Sequence, residues 1–302
     1  MKFVQAGIME PVPALGRYLF FSVTHPEPLP GSLRRFAALA DGRRVVAGLG
    51  PALVAALGAR VPGLREFPAL SGHGIEVPAT PTALWCWLRP AGAAQDPGDL
   101  VHQSRALEAA LAPALRLDRV IDAFRHGHGP NGHGRDLTGY EDGTENPEGE
   151  AAEAAALVQG QGAGLDGASF VAVQQWVHDF DAFDAMSPGA QDDAIGRRRS
   201  DNEELADAPE SAHVKRTAQE SFAPEAFVLR RSMPWAAGHR AGLMFVAFGR
   251  SLDAFEAQLR RMAGQEDGIT DALFGISKPV SGAYLWCPPL RDGQLDLRQV
   301  GL

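Results

Sequence analysis

The segment that most limits what this chain can fold into runs from Gly134 to Pro147, GRDLTGYEDGTENP. It holds three glycines and four carboxylates and almost no apolar bulk. Such a stretch has no hydrophobic face to bury, so it reads as loop, not as helix or strand. A loop this dense in polar groups usually does chemistry or cradles a ligand. Gly139 and Gly143 bracket Asp142, which lets the backbone turn tightly and bring one carboxylate against a partner. A lone Asp-Gly pair would be an ordinary solvated turn; the rest of the segment shifts that balance.

The chain on either side spells alternating strands and helices. Before the loop, strands are expected over residues 17–23, 44–49, 83–88 and 117–124. Helices are expected after Pro28 and Pro30, from Pro51 to Leu57, and from Asp99 to Leu111. A Pro/Gly-rich stretch from Pro62 to Pro81 reads as irregular. After the loop comes an alanine-rich helix over Glu150–Val158. Strands follow at Ser169–Val177, Glu225–Arg230, Gly242–Phe248 and a last one at Ala283–Cys287. Between them lie short helices over Phe180–Met186 and Pro188–Ile195, and an amphipathic helix marked by Leu252, Phe255, Leu259 and Met262. No GxGxxG follows a strand, so parallel dinucleotide-binding units are not supported. The expected class is α+β: antiparallel sheets with helices on one face, in two copies.

Size and charge narrow the function. The chain has 302 residues, 45% hydrophobic and 22% charged, an ordinary globular profile. Its formal charge is 28 − 37 = −9, which disfavours nucleic acid and anionic membranes as partners. No stretch approaches the roughly 20 apolar residues of a membrane span. The N-terminal MKFVQAGIMEPVPALG is broken by Glu10, Pro11 and Pro13 and does not read as a signal peptide, so the expected compartment is the cytoplasm. Cys86 and Cys287 sit in apolar runs with no CxxC or CxxCH spacing and read as buried structural thiols.

Three places can carry chemistry: Asp142 in its loop, His213 in APESAHVKRT, and Arg230 at a strand end in LRRSMPW. His126, His128 and His133 (HGHGPNGHG) invite a metal reading, countered by a glycine-rich setting in which no element fixes them. His178 and His239 are isolated and read as surface or satisfied histidines.

At these residues a family resemblance appears. GYEDGTENP matches the GxxDG motif of dye-decolorising peroxidases. GRDLTG, IGRRRSDNEEL…SAHVKRT, LRRSMPW and DALFGISKPVSGAYLWCPP are similar to the bacterial cytoplasmic branch of that family, and the likeness covers nearly the whole chain. It implies two ferredoxin-like halves, residues 1–130 and 165–302, joined by a linker and distal loop over 131–164. Non-covalent haem b would be held in the second half. It makes His213 the iron ligand, Asp271 the carboxylate behind it, and Asp142 with Arg230 the catalytic pair on the opposite side. Gly143, Thr144, Glu145, Ser232, Leu243 and Phe245 would line the cofactor, and Arg197 would meet a propionate. Ser232 stands where many relatives carry Asn.

The implied activity is reduction of hydrogen peroxide with oxidation of dyes, phenols or other organic reductants, in a homo-oligomer. Asp142 would move the peroxide proton and Arg230 would stabilise developing charge. An ordinary Asp ionises near 3.9, which predicts an acidic optimum. Bulky dyes would need a side-chain relay, with Tyr140 and Trp235 as candidates, although both read more readily as packing aromatics. The competing readings are a haem carrier or iron-releasing protein without turnover, and a non-haem metal at the histidine loop.

Overall fold

The computed structural model describes residues 3–90 and 96–302. Eight strands organise it: β1 Leu15–Val23, β2 Val45–Leu49, β3 Leu84–Leu88, β4 Leu115–Phe124, β5 Ser169–His178, β6 Met233–Ala237, β7 Arg240–Gly249 and β8 Ala283–Cys287. All their pairings are antiparallel. The first four lie in the order β2-β3-β1-β4 and the last four in the order β8-β5-β7-β6. Within a half the ladders are long, as in Gly242↔Val177 through Gly249↔Phe170 between β7 and β5. The halves meet at two seams of one residue pair each, Trp286↔Leu49 and Ala123↔Trp235. These seams close the strands into a barrel, so the two expected sheets are one continuous surface without free edges at the join.

Alternation along each strand gives the barrel two different faces. Tyr18, Phe20, Trp85, Trp87, Val171, Val173, Met244, Val246 and Leu285 point inward and form one apolar cluster. Leu19, Phe21, Leu84, Cys86, Leu88, Phe170 and Ala172 point outward into another. In the first half this outer face is covered by α1 (Leu29–Ala37) and α2 (Pro97–Leu111), through Leu33, Phe36, Leu100, Leu107 and Leu111. In the second half it is covered by α3 (His213–Arg216) and α4 (Asp253–Met262), with Phe255, Leu259 and Met262 on the buried side of α4.

The expected elements are largely present, with several departures. The stretch 62–81 is not wholly irregular: Leu70–Gly72 and Ile75–Val77 form a hairpin. Only Leu229–Arg230 of the expected 225–230 strand pairs. The preceding backbone is drawn elsewhere, with Val228 N–H donating to the Gln219 side chain at 2.9 Å and Ala226 C=O accepting from Gln258 at 2.7 Å. Strand β6 is hidden in the sequence, because Pro234 interrupts it. Proline is tolerated there because β6 is joined to β4 by a single pair. Finally, a small hairpin, Leu290–Arg291 with Gln294–Leu295, follows the expected last strand.

Cys86 and Cys287 are buried and unpaired, as their apolar surroundings predict, and burial pushes both thiols well above their ordinary range. Among the described residues no helix is long and apolar enough to cross a membrane.

Candidate active site

A cavity lies between the outer face of the second half-barrel and its helices. It brings together residues far apart in sequence. Leu243 and Phe245 of β7 and Trp176 and His178 of β5 form its floor; Leu259 and Met262 of α4 and His213 of α3 form the opposite wall; Asp142 and Arg230 close one side.

The Gly134–Pro147 loop is ordered although it is neither helix nor strand. Asp142 N–H donates to Gly134 C=O at 2.9 Å, and Asp136 N–H to Tyr140 C=O at 2.8 Å. Arg135 and Glu141 bridge across it. Gly139 and Gly143 take φ of +91° and +92°, conformations that a side chain would strain. Asn146 then staples the loop to the barrel. Its side chain accepts from Arg230 N–H at 2.7 Å and donates to Arg230 C=O at 3.1 Å. The two distal candidates are thereby fixed relative to each other through backbone, which leaves the Asp142 carboxylate and the Arg230 guanidinium free to face the cavity. Burial raises the Asp142 carboxyl above its usual range; the Arg230 charge works against that rise and the Asp136 carboxylate adds to it. The buried Arg230 Nε has no hydrogen-bond partner among the described residues.

On the opposite wall, His213 opens a one-turn helix. Its Nδ1 lies 2.8 Å from Asp271 Oδ2, and the Asp271 side chain is fully buried. Asp271 Oδ1 meanwhile accepts from Leu273 N–H at 2.8 Å, which fixes the carboxylate plane. Arg216, one turn on, makes a two-pronged pair with Asp267, both contacts 2.8 Å. These ties orient the ring by one nitrogen and leave Nε2 to face the cavity.

The remaining candidates divide. Gly143, Thr144, Glu145, Arg197, Leu243 and Phe245 all line the cavity. Arg197 is already engaged by Glu145 and by Glu204, the latter at 3.0 Å. Thr144 Oγ1 accepts from Asn202 at 2.9 Å. Ser232 is the exception. It is buried, its hydroxyl accepts from Val246 N–H at 3.4 Å, and it does not line the cavity. The sequence puts Ser232 two residues from Arg230, and the chain keeps one register against β7 from Leu229 to Ala237, but the regular ladder lapses at Ser232, whose hydroxyl takes the Val246 N–H. Tyr140 lines the cavity and donates to Asp192. Trp235 lies away from it, inside the barrel, donating to Trp176 C=O at 3.0 Å. Among the described residues no group of three or more His, Cys, Asp or Glu could hold a metal ion, so His126, His128 and His133 do not converge.

Of the two readings of His178, surface or satisfied, the second holds, but its place in the site was not foreseen. His178 is neither exposed nor isolated: it lines the cavity with its side chain 5% exposed. Its Nε2 lies 2.9 Å from Asp136 Oδ1 and its Nδ1 2.8 Å from Ser277 Oγ. Its place at the end of β5, on the outward-facing alternation of Phe170, Ala172, Gln174 and Trp176, was the available signal.

Fold and cavity together define an α+β barrel whose cavity is lined by groups suited to acid–base and electrostatic chemistry. The family model described as "Dyp-type peroxidase, C-terminal" matches residues 133–292. A dye-decolorizing peroxidase of Mycolicibacterium paratuberculosis is 29% identical over 237 residues, covering 76% of this chain and 64% of that one. The dye-decolorizing protein from V. cholerae superposes with a TM-score of 0.80 at 26% identity, over 93% of this chain and 96% of the other. A DypB variant from Rhodococcus jostii RHA1, solved in complex with heme, has a TM-score of 0.82 at 23% identity, over 93% and 94% of the two chains. The chain belongs to the Dyp-type peroxidase family.

Proposed function

We propose that this chain is a haem peroxidase that reduces hydrogen peroxide and oxidises dyes, phenols or other organic reductants. We read residues 1–130 and 165–302 as two ferredoxin-like halves joined by 131–164, with non-covalent haem b in the cavity of the second. The strand orders β2-β3-β1-β4 and β8-β5-β7-β6 support that reading. The observation that carries the function is the convergence, in the lining of one cavity, of a carboxylate-backed imidazole, a buried carboxylate and an arginine whose Nε has no partner among the described residues.

The cavity's residues fit a flat, apolar, charged-edge cofactor. Leu243, Phe245, Leu259 and Met262 provide an apolar slot, His213 Nε2 a ligand for iron, and the orphaned Arg230 Nε a buried donor awaiting a partner. Arg197 is available to a propionate if it exchanges a glutamate for it. When bound, haem supplies the iron that accepts peroxide and takes up its oxidising equivalents.

The chain's own residues do the rest. His213 donates its Nδ1 proton to Asp271, which leaves Nε2 as the ligand and makes the ring a stronger electron donor. Asp142, in its ionised form, takes the proton from one peroxide oxygen and returns it to the other, directly or through water. Arg230 keeps its charge throughout and stabilises the negative charge that develops as the O–O bond lengthens. The acidic optimum expected of an ordinary aspartate is moved upward, because burial raises the Asp142 carboxyl and its base form is lost at a higher pH. Two buried, unpaired thiols suit a reducing compartment, and we place the enzyme in the cytoplasm.

The test is an absorption spectrum of the wild type beside His213→Ala. An intense Soret band in the first, lost or strongly shifted in the second, is the expected result. A colourless wild type that takes up no added hemin would overturn the proposal.

A further inference from the structure

The cavity contains a hydrogen-bonded chain that the chemistry above does not use: Ser277–His178–Asp136. It joins three elements. Ser277 sits on the short strand Ser277–Pro279 paired to β5, His178 ends β5, and Asp136 belongs to the loop that carries Asp142. Asp136 Oδ2 also accepts from Thr138, from N–H at 2.9 Å and from the hydroxyl at 2.6 Å, so the carboxylate is held on both oxygens.

This arrangement satisfies the His178 ring in either charge state. Neutral, with Nε2–H donating to Asp136, the ring accepts at Nδ1 from the Ser277 hydroxyl at 2.8 Å. Charged, the ring donates from Nδ1 to Ser277 Oγ, whose own proton turns to Val177 C=O, 3.4 Å away. No buried polar atom is orphaned by the change, so a proton can be stored there without the usual penalty. The net charge of the His178–Asp136 pair then moves from −1 to zero, with Asp142 nearby on the same loop. Burial opposes ionisation of Asp136, but the bonds from His178 and Thr138 outweigh it and hold the carboxyl below its ordinary range.

We propose that His178 and Asp136 are positioning residues whose switchable charge sets the pH range over which Asp142 stays ionised. With the ring neutral, the Asp136 charge opposes a second carboxylate; with the ring charged, that opposition is cancelled and Asp142 remains a base further into acid. The groups facing the pair are few. Asp142, Arg230 and His213 line the same cavity, and Arg199 lies against the Asp136 loop, its guanidinium 3.5 Å from Thr138 C=O. The neighbouring strand contributes the Ser277 hydroxyl, the helix after β5 the edge of the Phe180 ring, and Asp179 is occupied in capping Ala182 N–H at 3.0 Å. The inference gives the peroxidase reading its pH dependence, and so rests on it for function, although the charge coupling itself does not need haem.

The test is infrared titration of the Asp142 carboxyl stretch in the full-length protein, the band identified by its loss in Asp142→Asn. In His178→Gln, which keeps hydrogen-bonding atoms but cannot charge, the Asp142 midpoint should rise by about one pH unit. The acid limb of dye turnover should move with it. Ser277→Ala, which removes the acceptor needed by the charged ring, should move the midpoint the same way by less. A midpoint unchanged or lowered in both variants overturns the proposal, even if both lose thermal stability, since a purely structural role would do only that. A preparation that binds no haem would sink the peroxidase reading while leaving the infrared result to stand or fall on its own.

Discussion

The two halves of the barrel run the same order of strands and helices, yet the cavity that gathers Asp142, Arg230 and His213 lies against the second. The difference is written on the outward face of each half's first strand. In β1 that face carries Leu19 and Phe21, both fully buried under α1 and α2. In β5 it begins the same way, with Phe170 and Ala172, and then turns to Gln174, Trp176 and His178. Polar groups at those positions cannot be sealed under a packed helix without partners. The half-barrel therefore opens there: between β5 and β6, where the first half has the continuous α1, the second has short helical pieces, among them the single turn of α3, and the loop carrying Asp142 adds to the cavity lining. Gln174 shows the cost of the arrangement, since its Nε2 is buried without a partner among the described residues. The first half is built for cohesion and the second leaves room for a ligand.

That contrast can be broken most directly in the cavity. Removing the carboxylate in Asp142→Asn, or the charge in Arg230→Leu, should lower turnover with peroxide by about 10²–10³-fold, the usual scale for losing a positioned proton carrier or charge-stabilising donor. Steady-state dye oxidation measures it. Equal retention of activity in both variants would mean that the cavity wall is inert and the two halves differ only in packing. A smaller effect separates the halves by stability. Leu19→Ala removes a fully buried side chain from the packed face and should cost about 2–5 kcal/mol in denaturant unfolding. Leu243→Ala, on the cavity floor, should cost clearly less in haem-free protein, because its side chain already borders open space. Equal costs would show that the second half is packed as tightly as the first.

How much of this the sequence discloses depends on whether the relevant residues lie close together along the chain. The GRDLTGYEDGTENP loop is legible because its glycines and carboxylates are contiguous and exclude helix and strand alike. Strands β1 to β5, β7 and β8 are legible from their apolar runs and alternation. Strand β6 is hidden by Pro234, and the expected 225–228 strand is lost because the Gln219 side chain takes its backbone. Barrel closure cannot be read at all, since each seam rests on one pair of residues, Leu49 with Trp286 and Ala123 with Trp235. Within the site, motif-borne residues are found and contact-borne ones are not. Asp142, Arg230 and His213 stand in recognisable segments. His178 acquires its meaning only from Asp136, 42 residues away, and from Ser277, 99 residues away. Asn146 lies inside the motif, yet its hold on Arg230 is a tertiary fact. Ser232 errs the other way: it is adjacent in sequence to the site and absent from it in space.

The finest discrimination between the halves lies in the sign of a pH effect. Asp41, at the turn into β2, is pushed up by burial, but three backbone N–H groups, of Arg43, Arg44 and Val45, and the Arg44 side chain outweigh this and lower its pKa. A carboxyl whose folded pKa is depressed adds stability above its unfolded pKa, near 3.9, and that stability is lost as pH falls through the folded value. Asp142 is the reverse. Its folded pKa is raised, so its contribution is full below the unfolded value and is lost as pH rises through the folded one. At pH 7 the first carboxylate therefore supports the fold and the second works against it. Asp41→Asn should lower the melting temperature at pH 7, with the deficit shrinking in acid. Asp142→Asn should raise it at pH 7, with the gain shrinking as pH drops below the Asp142 midpoint. Melting curves of both variants from pH 3 to 8 decide the matter, and matching signs would mean that the second half does not sacrifice stability for its site.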